Sequence, residues 1–156
     1  MSQWLVENIL KGIKQAHELY YRLVLLVGPS GSGKTTVLQQ IHERTGIPLI
    51  NINRELSRRL LELNEKQRIL QISPLLTDLI QTYPGDIVLL DNLEILFDIS
   101  LKQDPLRLLL GLSRIKTIGA AWNGIIENNH VVYAMPDHPE YRRYELGNFL
   151  VFTPEI

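Results

Sequence analysis

The sequence predicts an α/β domain in which a mostly parallel sheet is sandwiched by helices. Three observations predict it. "LVLLV", residues 23–27, is a short run of branched apolar residues that breaks into glycine, as a strand buried on both faces does. "IVLLD", residues 87–91, is a second such run, and it ends on an acid. Between and beyond them, apolar residues recur at helical spacing. Strands alternating with helices give a parallel sheet with right-handed crossovers.

Taken in order, Trp4, Leu5, Ile9, Ile13, Ala16 and Tyr20 lie three and four apart, which predicts an amphipathic helix over 1–21 packed on the core. Val37, Leu38 and Ile41 continue that spacing after the first strand, and Thr45-Gly46 stops it. "IPLININ" predicts a second strand, with Asn51 or Asn53 as the cap of the helix after it. Residues 54–83 predict one or two helices, with Ser73-Pro74 starting the second. After the Asp91 strand, "DPLRLLLGLSR" predicts a helix with Pro105 in its first turn. "KTIGAAW", "HVVYAM" and "NFLVF" predict further strands, while the two prolines of "PDHPEYRRYEL" predict an irregular segment. The whole, 1–156, is expected to be a single domain.

Composition narrows the chemistry. The chain has 156 residues, 45% hydrophobic and 21% charged, which suits one globular domain with a proper core. A net charge of −1 offers no global pull toward nucleic acid. Cysteine is absent, which excludes disulfides, thiolate metal sites and a cysteine nucleophile. His17, His42, His130 and His138 are scattered without ligand spacing. The N-terminal stretch does not read as a signal peptide, and no apolar run approaches a membrane span, so a cytoplasmic protein without membrane contact is expected.

The chemistry begins at Gly28-Pro29-Ser30-Gly31-Ser32-Gly33-Lys34-Thr35, which satisfies the phosphate-loop pattern G-x-x-x-x-G-K-[ST] between a strand and a helix. Its glycines let the backbone wrap tightly and aim N–H groups at an anion, and the helix after Gly33 adds its positive end. Lys34 is expected to reach the β- and γ-phosphates of ATP, and the Thr35 hydroxyl to hold Mg2+. Thr36 completes the candidate nucleotide-binding set, although its side chain also reads as helix packing.

Asp91 at the end of its apolar strand is the second expected Mg2+ ligand. The strand "PLIN" lies between the loop and Asp91 in sequence, which predicts that their two strands are separated by a third. That arrangement points to an AAA+/RecA-like P-loop NTPase core, here without a C-terminal helical lid. Such ATPases usually place Glu after the Asp, to activate water. Here the residue is Asn92, which cannot take a proton. Glu94 is the candidate catalytic carboxylate, because in an extended chain it shares a side with position 92. The alternative is a carboxylate that merely favours a helix start. Asn123, ending "AAWN", is a candidate γ-phosphate or water sensor, or simply an Asn-Gly turn.

Arg54, Arg58, Arg59 and Arg68 are interleaved with Glu55, Glu62 and Glu65, which reads as a solvated helix face with i,i+4 pairs. Arg142 and Arg143 read first as surface arginines, and with Arg114 they are the candidates for an arginine acting on a neighbouring subunit.

"GPSGSGKT", "NINRELSRRLLELNEKQR", "IVLLDNLEILF", "AAWNG" and "HPEYRRY" together resemble BrxF, the family of small P-loop proteins of type 3 BREX bacteriophage-exclusion systems. The resemblance implies an accessory ATPase in a bacterial phage-defence system, with Lys34, Thr35 and Asp91 as nucleotide residues. It implies defence-system partners: a large ATPase, a DNA methyltransferase and a phosphatase-like component. Slow hydrolysis is expected, with homo-oligomers forming on nucleotide binding and any DNA contact indirect or weak. Two rival expectations are a nucleotide-gated adaptor with little or no hydrolysis and a small-molecule kinase.

Overall fold

The computed structural model describes residues 2–154, so residue 1 of the predicted N-terminal helix and residues 155–156 of the predicted domain lie outside it. The elements run α1 (Ser2–Ala16), β1 (Leu23–Gly28), α2 (Lys34–Thr45), β2 (Leu49–Asn51), α3 (Ile52–Leu60), α4 (Glu65–Thr82) and β3 (Ile87–Asp91). Two 3-10 turns, Glu94–Phe97 and Ile99–Leu101, lead to α5 (Pro105–Leu112) and β4 (Thr117–Asn123). Then come β5 (Ile125–Glu127), β6 (His130–Tyr133), β7 (Arg142–Glu145) and β8 (Leu150–Phe152).

Five strands form one parallel sheet in the order β2-β3-β4-β1-β8. β4 therefore lies between the loop strand and the Asp91 strand, as the sequence predicts. β5, β6 and β7 form a separate antiparallel sheet.

Strand alternation divides the core in two. Leu23, Leu25, Val27, Val88, Leu90, Ile118, Ala120 and Trp122 face α3, α4, α5 and the small sheet. Val24, Leu26, Leu89 and Ala121 face α1 and α2. Both faces of β1 are covered, which is why it needs a continuous apolar run rather than an alternating one. α1 contributes Leu5, Val6, Ile9, Ile13 and Ala16 to the second layer, each buried Leu, Val or Ile side chain being worth about 2 kcal/mol. Trp4 at 59% and Tyr20 at 65% exposure do not belong to that face, and the helix stops at Ala16. Leu89 accounts for the glycine of β4. A Cβ on Gly119 would stand 3.0 Å from Leu89 and 3.9 Å from Ile13, so a larger side chain has no room there.

Asn51 caps α3, its side chain accepting from the Arg54 N–H. The helical stretch then breaks at 61–64, not at Ser73-Pro74. Asn64 and Gln67 form a reciprocal capping box at the start of α4, and Arg68 donates to the Leu60 and Leu63 carbonyls across the break. Pro74 is inside α4, where it cannot supply an N–H to the preceding turn. Gln103 Nε2 donates to the Ile69 carbonyl in that turn at 3.0 Å.

The expected irregular segment holds over residues 136–141 and gives way to the small sheet after them. The prolines of that stretch, Pro136 and Pro139, precede β7, which is formed by Arg142–Glu145 itself. "HVVYAM" and "NFLVF" do supply strands, but in two different sheets, and β5 has no counterpart among the predicted strands. Its hairpin with β6 turns on Asn128 and Asn129, both with left-handed backbone (φ 49 and 61), as a tight two-residue turn requires. The sheet is fastened by aromatic rings around Trp122. Phe97, Tyr133 and Tyr144 stand edge-on to it at 5.1, 6.3 and 5.9 Å between centroids. Trp122 Nε1 donates to the Val132 carbonyl, and Tyr144 donates its hydroxyl to Asp104, the cap of α5. Among the described residues, no helix is long and apolar enough to cross a membrane.

Gly124 permits this docking, because a Cβ there would overlap the Val132 carbonyl. Gly124→Ala should therefore cost about 2 kcal/mol in a urea melt, within the usual range for overpacking. Gly147→Ala, with open space around it, should stay within about 0.5 kcal/mol.

Candidate functional site

The C-terminal ends of β1, β4 and β3 lie side by side, and the site is built on them. Gly28, the last residue of β1, is in register with Asn123, the last of β4. β4 in turn pairs with β3, which ends on Asp91. From Gly28 the chain turns through Gly31 and Gly33, whose φ of 81 and 95 are left-handed, and enters α2 at Lys34. No side chain caps the first turn of α2, so its N–H groups remain directed at the loop.

Lys34 is only 5% exposed. Its ammonium donates to the Gly28 and Pro29 carbonyls at 2.8 and 2.7 Å, with Ser32 Oγ at 3.4 Å. Burial pulls its pKa below the ordinary lysine value, while the carboxylates of Asp91 and Glu94 oppose that. Thr35 donates its hydroxyl to Asp91 Oδ2 at 2.7 Å. Asp91 is itself 7% exposed, and its other oxygen accepts from the Asn92 N–H at 2.9 Å. One hydroxyl and one carboxylate on adjoining elements form a hard, oxygen-only donor set. It suits Mg2+, which takes few protein ligands and completes its shell with water and phosphate.

These groups line a cleft of about 350 Å3 with Ser30, Gly31, Gly33, Thr36, Asn92, Glu94, Ala121 and Asn123. Of the predicted set, Gly28, Pro29 and Ser32 form the inner side of the loop around the Lys34 ammonium rather than the cleft wall. Thr36 is exposed and lines the cleft, so its reading as helix packing is corrected. Ala121 is a cleft residue that the motifs do not point to. Its signal is two-residue alternation with Asn123, which puts a small side chain on the strand face that Asn123 shares.

Glu94 is in the cleft, but not for the reason the sequence suggests. The chain after Asp91 is not extended. Asn92 has left-handed backbone (φ 56), and Glu94 opens a 3-10 turn. Asn tolerates that conformation better than other residues with a side chain, and the Asn92 carbonyl accepts from the Asn53 N–H at 2.9 Å. Position 92 is thus a backbone corner, and the corner swings Glu94 to the site. Burial, and then the Asp91 carboxylate, push the Glu94 pKa above the ordinary value. The Leu93 and Glu94 N–H groups and the Lys34 charge hold it back.

The arginines are mostly engaged within the fold. Arg54, Arg58 and Arg59 all converge on Glu55. Arg142 donates to the Gln103 carbonyl. Arg114 lies 3.6 Å over the Tyr20 ring and donates to its carbonyl, at the end of the sheet remote from the cleft. Arg143 is exposed on β7.

Residues 23–86 match a family model described as an AAA domain. The fold is that of a P-loop NTPase. The matched stretch holds the loop, α2, β2, α3 and α4, and it stops before Asp91, Glu94 and Asn123. Those three are candidates on geometry. No curated protein matches the chain in sequence.

The backbone reading of Asn92 is directly measurable. Asn92→Gly should leave stability within about 0.5 kcal/mol, whereas Asn92→Glu should cost about 1 kcal/mol in a urea melt because a larger side chain disfavours left-handed backbone.

Proposed function

We propose that the chain binds Mg·ATP in this cleft and hydrolyses it slowly, with Glu94 as the carboxylate that activates water. One observation supports the reading above the others. Glu94 lines the same cleft as Lys34, Thr35 and Asp91, and burial raises its proton affinity above the ordinary carboxylate. In this reading Lys34 leaves the loop carbonyls for the β- and γ-phosphates, Thr35 and Asp91 hold Mg2+, and Asn123 orients the water or the γ-phosphate. Mg2+ supplies charge neutralisation on the phosphate oxygens.

The nucleotide state then governs assembly with further copies or with partners. The resemblance to BrxF supports a place among phage-defence proteins, including a large ATPase, a methyltransferase and a phosphatase-like component. The near-zero net charge favours indirect DNA contact.

Phosphate release by the purified chain tests the reading. Turnover should vanish in Lys34→Ala together with nucleotide binding, and vanish in Glu94→Gln with binding retained. Tight binding without turnover, alone or with partners, points instead to a nucleotide-gated adaptor, and transfer to an added nucleoside points to a kinase. In light scattering, the same preparations should gain mass on adding a non-hydrolysable ATP analogue. An unchanged monomer contradicts assembly.

Stability offers an independent check on Glu94. A carboxyl whose folded pKa lies above its ordinary 4.5 binds protons more tightly in the folded state. Its contribution is fully present below pH 4.5 and is lost as pH rises through the folded value. Glu94→Gln should therefore be more stable than the parent at pH 7, with the gain disappearing at acid pH.

A further inference from the structure

Glu94 hangs on a single short turn, which α3 and Trp122 hold from the core and the antiparallel sheet holds from outside it. In the 3-10 turn Glu94–Phe97, side chains three apart lie one above the other, so Phe97 is on the same side as Glu94. Phe97 is buried, and Tyr133 from β6 stacks face to face upon it, with centroids 3.5 Å apart and planes 10° from parallel. Trp122, on the strand that ends at Asn123, stands edge-on to both rings. Tyr133 is itself fixed. Its neighbour Val132 accepts from Trp122 Nε1, and the bare backbone of Gly124 lets β6 approach that closely. Burial, with the negative charges of Glu140 and Glu94 nearby, pushes the Tyr133 phenol up to about 12, so it stays neutral at working pH.

We propose that Tyr133 is a positioning residue for Glu94: by stacking on Phe97, it holds the turn that presents the carboxylate and closes that side of the site to water. The antiparallel sheet, otherwise unconnected with phosphate chemistry, thereby sets how well the cleft hydrolyses. Nucleotide binding through the loop does not depend on it. This rests on the hydrolytic reading of Glu94.

The test compares Tyr133→Phe, Tyr133→Leu and Tyr133→Ala with Glu94→Gln, reading affinity for a fluorescent ATP analogue and steady-state phosphate release across pH. Tyr133→Phe keeps the stack and should retain turnover within about threefold. Tyr133→Ala should lose roughly tenfold or more in kcat, with nucleotide affinity changed less than about threefold, because only a positioned carboxylate is disturbed. Tyr133→Leu keeps apolar bulk without the stacked ring and should fall between them, and its retained binding guards against simple unfolding. Water admitted by Tyr133→Ala relieves the burial that raises the Glu94 pKa, so the acidic limb of the kcat profile should move to lower pH. Tyr133→Phe should leave that limb in place.

Turnover lost in Glu94→Gln but unchanged in Tyr133→Ala overturns the positioning role alone. Turnover and binding falling together in Tyr133→Ala and Tyr133→Leu also overturn it, as a merely structural effect. A parent chain without turnover, or one indifferent to Glu94→Gln, overturns the hydrolytic reading and this proposal with it.

Discussion

The hydrogen bond between Thr35 Oγ1 and Asp91 Oδ2 ties the phosphate loop to the acid strand. Thr35 follows the loop strand β1, which β4 separates from β3, the strand that ends on Asp91. Neighbouring strands are about 4.8 Å apart, so the loop strand and the acid strand cannot meet directly. The loop closes the gap. By turning through Gly31 and Gly33 it starts α2 above the strand ends, and the first helical residues then come down beside Asp91.

The same constraint explains why the strands are composed as they are. β1 and β3 are buried on both sides and are near-continuous in branched apolar residues. β4 runs between them, with Gly119 closely approached by Leu89 and with Ala120 and Ala121 facing opposite layers on the way to Trp122. Trp122 then carries the second architectural unit. Its ring and its N–H hold the antiparallel sheet against the end of β4, and that sheet braces the turn bearing Glu94. The core thus supplies two separable things, a rigid anion cradle and a carboxylate set by aromatic packing.

This division matches the parts that are legible in the sequence. The phosphate loop is legible because its chemistry needs contiguous residues, from Gly28 to Thr35. Asp91 is legible because a buried strand announces its own end. Glu94 is reached from a false premise, an extended chain, where Asn92 in fact makes a left-handed corner. The small sheet is hidden for a different reason. Its strands are three or four residues long, β7 is largely charged, and its hairpin turns on Asn-Asn rather than a glycine pair. Contact with Trp122 and Gly124 fixes it, and no local pattern encodes that contact. Likewise, the capping box at Asn64 outweighs the proline at 74 as the point where the helix restarts.

The central claim is that Thr35 and Asp91 act together as a cation site for a nucleotide held by the loop. Isothermal titration of ATP into the parent chain and Asp91→Asn, each with Mg2+ and with a chelator, tests this most directly. Mg2+ should tighten ATP binding roughly tenfold or more in the parent chain, about 1.4 kcal/mol or more, and Asp91→Asn should abolish most of that gain. Equal affinity with and without Mg2+, or a gain untouched by Asp91→Asn, would contradict it.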